Sequence, residues 1–336
     1  MSWSRVLGHD ANIAAFVSAW KRGRLGHAYL FVGPHGVGKH TFARELAKTV
    51  LCENRSDKFE ACDQCSSCHL VDAGTHPDLF MVQRGEDSLE FKIDVIREQL
   101  LPSLAMKAAR GSRKVAILDD ADDLNEEASN CFLKTLEEPP PGSLLILVGG
   151  SNAETQLPTI LSRCQVIRFS APAPILAARV LAEQGIADPV RQQRLLQIAG
   201  GSPGQALALD DEEVWKFREA LIQSLNGGPL VPDRLIRPWM EFIENAGKES
   251  AAQRTRAALV IRLFVLMLQA ALKLSIDATV AGLDRNEEQL LRKLGTALGE
   301  EKLLAWLERA LEADRQIGYR VQLILIVEAF VDAICR

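Results

Sequence analysis

Three groups of side chains in this 336-residue sequence have the types and spacing to do chemistry. The first is Gly33-Pro34-His35-Gly36-Val37-Gly38-Lys39-His40-Thr41. Glycines at 33, 36 and 38 free the backbone to wrap an anion, with N–H groups and a helix N-terminus aimed at phosphate oxygens. Lys39 adds a point charge. The spacing is that of a phosphate-binding loop, but His40 stands where a Ser or Thr hydroxyl normally ligates magnesium. Thr41 offers a hydroxyl one residue later, about 100° further round a helix, and should point away from such a metal. Neutral His40 could touch a metal itself, although magnesium prefers oxygen.

The second group closes the apolar run "KVAILDD" (114–120) with two acids. Asp119 is placed to hold magnesium, directly or through water. The following residue in a hydrolase of this kind is usually a Glu that polarises the attacking water, and here it is Asp120, one methylene shorter. A base displaced by about 1 Å loses much of its rate, because positioning carries a large share of phosphoryl transfer. Acids that merely end a strand at the surface are the plainer reading. The third group is Cys52, then Cys62, Cys65 and Cys68 at successive two-residue gaps. Four thiolates from one short knuckle suit tetrahedral zinc in a closed structural site. A ferredoxin-type run instead expects its fourth cysteine downstream, before Pro. Zinc is favoured, with an iron–sulfur cluster or free thiols as the alternatives. His69 and His76 lie nearby and read as solvent-exposed or turn residues rather than ligands.

These residues need elements to carry them. "AYLFVG" (28–33) leads as a strand into the glycine loop, and "TFARELAKTVL" after it has helical spacing. Further strands are predicted at 78–83, 114–120, 143–149 and 164–169, mostly separated by helical patterns, as in an α/β domain with a mostly parallel sheet covered on both faces. Beyond 170–174 strand signals almost vanish, and helix follows helix, punctuated at 200–204, 226–233 and 282–288. The predicted parts are an α/β domain over 1–170, with the cysteine module at 52–68 inserted, a helical segment over 171–210, and an all-helical remainder over 211–336.

A 47% hydrophobic content can fill real cores. The net charge of −5 argues against binding nucleic acid through overall charge, so any DNA contact is expected to depend on an assembly. No basic segment followed by an apolar run opens the sequence, and the longest apolar stretches read as interrupted by charge. The expectation is a cytoplasmic protein with no membrane contact. Seven cysteines, four of them crowded together, suit a metal site in a reducing compartment rather than a disulfide scaffold.

The segments "RLGHAYLFVGPHGVGKHTFARELAK", "KVAILDDADDLNEEASNCFLKTLEEPPPGSLLILV" and "LPTILSRCQVIRF", with the four-cysteine insertion, resemble the clamp-loader branch of the AAA+ ATPases over about the first 210 residues. "LKTLEEPP" and "SRC" are far more particular to clamp loaders than a phosphate loop is. The resemblance implies an AAA+ P-loop domain with a five-stranded sheet and an inserted zinc module, then a helical lid and an all-α collar. It further implies a hetero-pentameric ring of gamma/tau motors, delta and related subunits that loads a sliding clamp onto primer-template DNA for DNA polymerase III, with ATP and Mg2+ at its seams.

In that family the Arg of Ser-Arg-Cys, here Arg163, reaches the γ-phosphate held by the neighbouring subunit, as an arginine finger supplied in trans. An arginine of the lid, in a Gly-Ser-x-Arg pattern, contacts the γ-phosphate within the same subunit. This sequence has Gly201-Ser202-Pro203-Gly204. A polar residue after the fourth strand positions water, and Ser151 or Asn152 would serve here. With His40, Asp120 and Gly204 all departing from the hydrolytic pattern, the expectation is a stator without independent ATPase activity inside a polymerase holoenzyme. The alternative is a competent gamma/tau-like motor, which Gly33, Gly38, Lys39 and Asp119 support. A third reading, a DNA-binding zinc element, is disfavoured because Arg55 and Lys58 face four acids, Glu53, Asp57, Glu60 and Asp63, in the same stretch.

Overall fold

The apolar runs form five strands: β1 (Ala28–Val32), β2 (Leu79–Val82), β3 (Lys114–Leu118), β4 (Ser143–Val148) and β5 (Gln165–Arg168). This computed structural model describes residues 2–83, 94–124, 126–150, 158–247, 250–280, 282–318 and 321–335. All neighbouring strands are parallel, in the order β2-β3-β4-β1-β5. Leu30 pairs with Leu147 on one side and with Val166 on the other. Every residue of β1, β3 and β4 is buried, which a parallel sheet covered on both faces requires. The edge strands β2 and β5 are only partly covered.

Helices α1 (Asp10–Lys21), α2 (Lys39–Leu51), α3 (Ser66–Asp72), α4 (Leu101–Ala105), α5 (Glu126–Glu137) and α6 (Pro158–Leu161) accompany the sheet. The two-residue period of a strand sorts its side chains between two cores. Tyr29, Phe31, Ile117 and Ile146 join Phe16 of α1 and Phe42 and Leu46 of α2 on one face. Leu30, Leu118 and Leu147 join Leu104, Phe132 and Leu136 on the other. The Phe31 and Phe42 rings meet edge to face at 5.6 Å. Each fully buried Phe of this kind contributes about 1.5–3 kcal/mol by area, and the pair fixes α2 directly behind the loop that follows β1. Helix α5 stops at Glu137 because the prolines from Pro139 onward cannot donate to it and exclude helical geometry before them.

The rest is helical: α7 (Pro174–Glu183), α8 (Pro189–Ile198), α9 (Pro203–Ala208), α10 (Glu212–Asn226), α11 (Pro232–Glu244), α12 (Ser250–Ser275), α13 (Arg285–Gly318) and α14 (Leu323–Cys335). Helix α13 breaks at Gly299, whose φ of 71° is non-helical. Contacts group the chain into two compact units. The first runs to Gln184 and takes in Gly200–Gln205; the second holds Gly185–Ala199 and continues from Ala206. Segment 171–210 is thus divided between them, α7 in the first unit and α8 in the second. Trp239, Phe264 and Phe330 centre the second unit, with ring separations of 5.1 to 5.8 Å. The expectation that charge interrupts every long apolar stretch fails in one place: over Ala252–Ser275, helix α12 is long and apolar enough to cross a membrane by length and composition, and 56% of that window is buried within the protein.

Candidate functional site

Strand β1 delivers the chain into the glycine loop and α2 carries it away. Gly33, Gly36 and Gly38 have φ of 147°, 73° and 106°, a region that side chains other than Gly rarely enter. A Cβ on Gly33 would also lie 2.2 Å from the Phe169 carbonyl oxygen. The loop's carbonyls from Gly33 to Val37 are all engaged by the protein itself. Lys39 Nζ donates to the carbonyl of Gly33 and, at 2.7 Å, to that of Pro34. Ser202 Oγ donates to His35 O at 2.7 Å, the Gly204 N–H to Gly36 O at 2.9 Å, and His9 Nε2 to Val37 O at 2.8 Å. Five successive carbonyls are therefore satisfied internally, which fixes the loop's shape.

Gly204 matters most here. A Cβ on it would sit 2.7 Å from the Cα of Gly36, so backbone lies on backbone where the resemblance places an arginine. The cavity beside the loop, of about 320 Å³, is lined by Gly38, Lys39, His40, Asp119 and Gly149 among others, at the lower end of the roughly 300–1,000 Å³ of small-molecule sites. Thr41, expected to turn away, is exposed at the edge of the same cavity.

The acids converge as the sequence suggests. The Asp119 N–H donates to Val82 O at the carboxyl end of β3, and its Oδ2 lies 3.8 Å from His40 Nε2. Burial pushes the Asp119 carboxyl above its ordinary range, opposed by His40 and Lys39 and reinforced by Asp120. The ammonium of Lys39 is lowered by burial, with Asp122, Asp119 and Asp120 pulling the other way. Asp120 adopts left-handed φ, ψ of 52°, 43°, its N–H bonded to Asp119 Oδ1 at 3.1 Å, a conformation Asp tolerates better than most residues.

Two participants were missed, His35 and Asp122. Burial raises the Asp122 carboxyl, while the Gly150 backbone N–H, His35 and Lys39 lower it. A Cβ on Gly150 would come within 2.1 Å of Asp122 Oδ2, so only glycine lets that carboxylate approach. The run of acids past Asp120 was the available signal. Ser151 and Asn152 lie outside the described residues.

The opposite end of α2 holds the cysteines. Cys52 caps its C-terminus, and Cys65 caps α3, accepting the N–H of Cys68 at 3.4 Å. The four sulfurs lie within 4.8 Å of one another, Cys52 to Cys65 at 3.9 Å and Cys62 to Cys68 at 4.0 Å. A tetrahedron with metal–sulfur bonds of about 2.3 Å has edges of about 3.8 Å, so the set fits one zinc ion. The N–H of Cys62 donates to Cys52 Sγ and that of Cys65 to Cys62 Sγ, both at 3.3 Å, as suits thiolates. Burial works to raise the Cys65 thiol, but hydrogen bonds from the Cys68 and Glu53 backbones and neighbouring thiols bring it down to about 6. Burial pushes Cys52 and Cys68 up.

His69 is exposed; His76 is 3% exposed rather than at the surface, but it does open a turn, its carbonyl accepting the Leu79 N–H at 3.1 Å. Its Nδ1 accepts the Asp78 N–H at 3.0 Å, which leaves Nε2 to donate to Ser67 Oγ at 3.1 Å; Ser67 in turn donates to Glu53 at 2.9 Å. His76 is therefore a buttress behind the knuckle. Buried Lys48 ties α2 to the knuckle through Asp63 at 2.7 Å and Asp72 at 3.1 Å.

Arg163 sits apart from the glycine loop's cavity lining, just after α6. Its Nε donates to Glu137 Oε1 at 2.8 Å and its Nη2 to the same oxygen, while Nη1 donates to Thr159 O at 2.9 Å and to Ser162 Oγ at 3.0 Å.

Comparison with known proteins meets this geometry at the same residues. The family described as "DNA polymerase III, delta subunit" matches residues 8–173. The chain is 35% identical over 207 residues to DNA polymerase III subunit delta' of Pseudomonas aeruginosa, covering 61% of this chain and 62% of that one. It is 33% identical over 227 residues to the Escherichia coli K12 subunit delta', covering 67% and 66%. Across its N-terminal half the chain belongs to the DNA polymerase III delta' family. The chain spans less than two thirds of the length of these delta' relatives. It is also similar to the Escherichia coli K12 subunit tau, 33% identical over 219 residues that make up 63% of this chain and 33% of tau. The family match thus encompasses the glycine loop, the acids, the cysteine knuckle and Arg163.

Proposed function

We propose that this chain is a delta'-type clamp-loader subunit that turns over no ATP of its own and supplies Arg163 to a neighbouring ATPase subunit. On this reading it is an AAA+ domain over 1–170 with a structural zinc at Cys52, Cys62, Cys65 and Cys68, a lid over 171–210 and a collar over 211–336. It works in the cytoplasm, in a hetero-pentamer with gamma/tau and delta subunits, and meets the sliding clamp and primer-template DNA through that assembly. Bound zinc would supply a rigid cross-link between α2 and α3 and no reaction chemistry. The supporting observation for lost turnover is Gly204: its backbone lies against Gly36, and no side chain from that position can reach over the loop. His40 in place of the metal's hydroxyl, and Lys39 held by Gly33 and Pro34, weigh the same way. The site thus fits a bound nucleotide and magnesium poorly. The guanidinium of Arg163 instead neutralises charge that develops on a phosphoryl group held next door. Native mass spectrometry of this chain with motor and delta subunits tests the reading. One copy per five-membered ring, carrying one zinc and no nucleotide, is expected; nucleotide bound to this chain would count against it.

Two observations favour a motor instead. Asp119 directly follows β3 beside the loop, in a cavity it shares with Lys39, and the chain is similar to tau as well. Steady-state ATP turnover by the purified chain, abolished in Lys39→Ala, would establish that reading.

A further inference from the structure

Two motifs that are distant in the sequence meet in the fold. Helix α5 ends at Glu137, which places a carboxylate at the negative end of the helix dipole, an unfavourable position unless a cation lies alongside. Arg163 supplies that cation. Beneath the pair, Leu136, Ile160 and Cys164 are all buried in one core, so both residues stand on a rigid base. The Arg163 side chain is 30% exposed and that of Glu137 49%. Its Nε and one Nη2 hydrogen go to Glu137, and both Nη1 hydrogens go to Thr159 O and Ser162 Oγ. The guanidinium plane is therefore fixed, with a single N–H direction, on Nη2, not taken up by these bonds. A long side chain without this carboxylate would spread over many rotamers.

We infer that Glu137 is the positioning residue for Arg163: its carboxylate, at the end of α5, holds the guanidinium in the orientation from which it meets the neighbour's phosphate. This rests on the finger reading proposed above. The carboxylate acts through the arginine and touches no substrate.

The test is ATP turnover by the reconstituted ring, with assembly verified by native mass spectrometry. Glu137→Ala should lower kcat about tenfold, the scale of coupling between directly bonded groups, with KM for ATP changed less than about twofold. Glu137→Gln, which keeps an oxygen acceptor, should retain more activity than Glu137→Ala. The double variant with Arg163→Ala should be no slower than Arg163→Ala alone. If Arg163→Ala slows the ring while Glu137→Ala and Glu137→Gln do not, the positioning role is wrong and the finger stands. If the double variant is slower than Arg163→Ala by the full Glu137→Ala factor, Glu137 acts independently and the inference fails. If Arg163→Ala itself leaves turnover unchanged, the finger reading falls and takes this inference with it.

Discussion

Helix α2 has the glycine loop at one end and the first cysteine of a cluster that could hold a metal at the other, and the two ends differ. At its C-terminus every part of a metal site is present: four sulfurs at tetrahedral spacing, backbone N–H groups aimed at them, and a buried Lys48 tying the knuckle down. At its N-terminus the glycine geometry is kept, but on the proposed reading the chemistry is not: His40 stands where the phosphate-loop pattern has a hydroxyl, the lysine is engaged by its own loop, and Gly204 sits on Gly36. Architecture and reactivity are separable. A loop can be held in shape by its carbonyl partners for the sake of the domain, whether or not its N–H groups serve a phosphate.

If this contrast is right, damage at the cysteine end should be the more severe. Cys68→Ala, or zinc removal by a strong chelator, should lower the melting temperature by about 10 °C or more, and elemental analysis should fall from one zinc per chain to none. Equal melting curves with and without metal would break the comparison. At the other end the expected effect is steric and smaller. Gly204→Arg should destabilise the protein by about 1–3 kcal/mol, measured by denaturant unfolding, because its Cβ meets Gly36. It should not create ATP turnover. Gain of turnover would mean that one missing arginine was the whole deficit.

The smallest effect concerns Asp119. Its folded-state pKa is raised, so the folded protein holds that proton more tightly than the unfolded chain. Stability on this account is present below the ordinary carboxylate pKa and is lost as pH rises through the raised value. Asp119→Asn should remove that loss, leaving the variant more stable than the parent above the window and with a flatter melting-temperature profile from pH 4 to 7. A parent profile unchanged by the substitution would show that His40 and Lys39 fully offset the burial.

Much of this was legible locally. Runs such as "AYLFV" and "KVAIL" are apolar throughout because buried parallel strands need both faces apolar, and each was found within a residue or two. The cysteine knuckle was legible because metal spacing is short-range. Strand order was not, since it depends on crossovers rather than on any one run. Nor was the contact of Gly204 with Gly36 or that of Glu137 with Arg163, which join distant segments. The burial of His76 was not legible, because an imidazole satisfied by Asp78 and Ser67 leaves no local trace, although its place in a turn and outside the thiol cluster was. The apolar length of α12 was hidden by its scattered charges.

The central claim is that the chemistry lies at a neighbour's site and that Arg163 takes part in it. Single-turnover ATP hydrolysis by the clamp- and DNA-stimulated ring, reconstituted with Arg163→Ala, tests this most directly. The phase served by this seam should slow by at least about tenfold, and by up to about 10³ if the finger carries its full weight. A ring that hydrolyses ATP at the parent rate in every phase would contradict it.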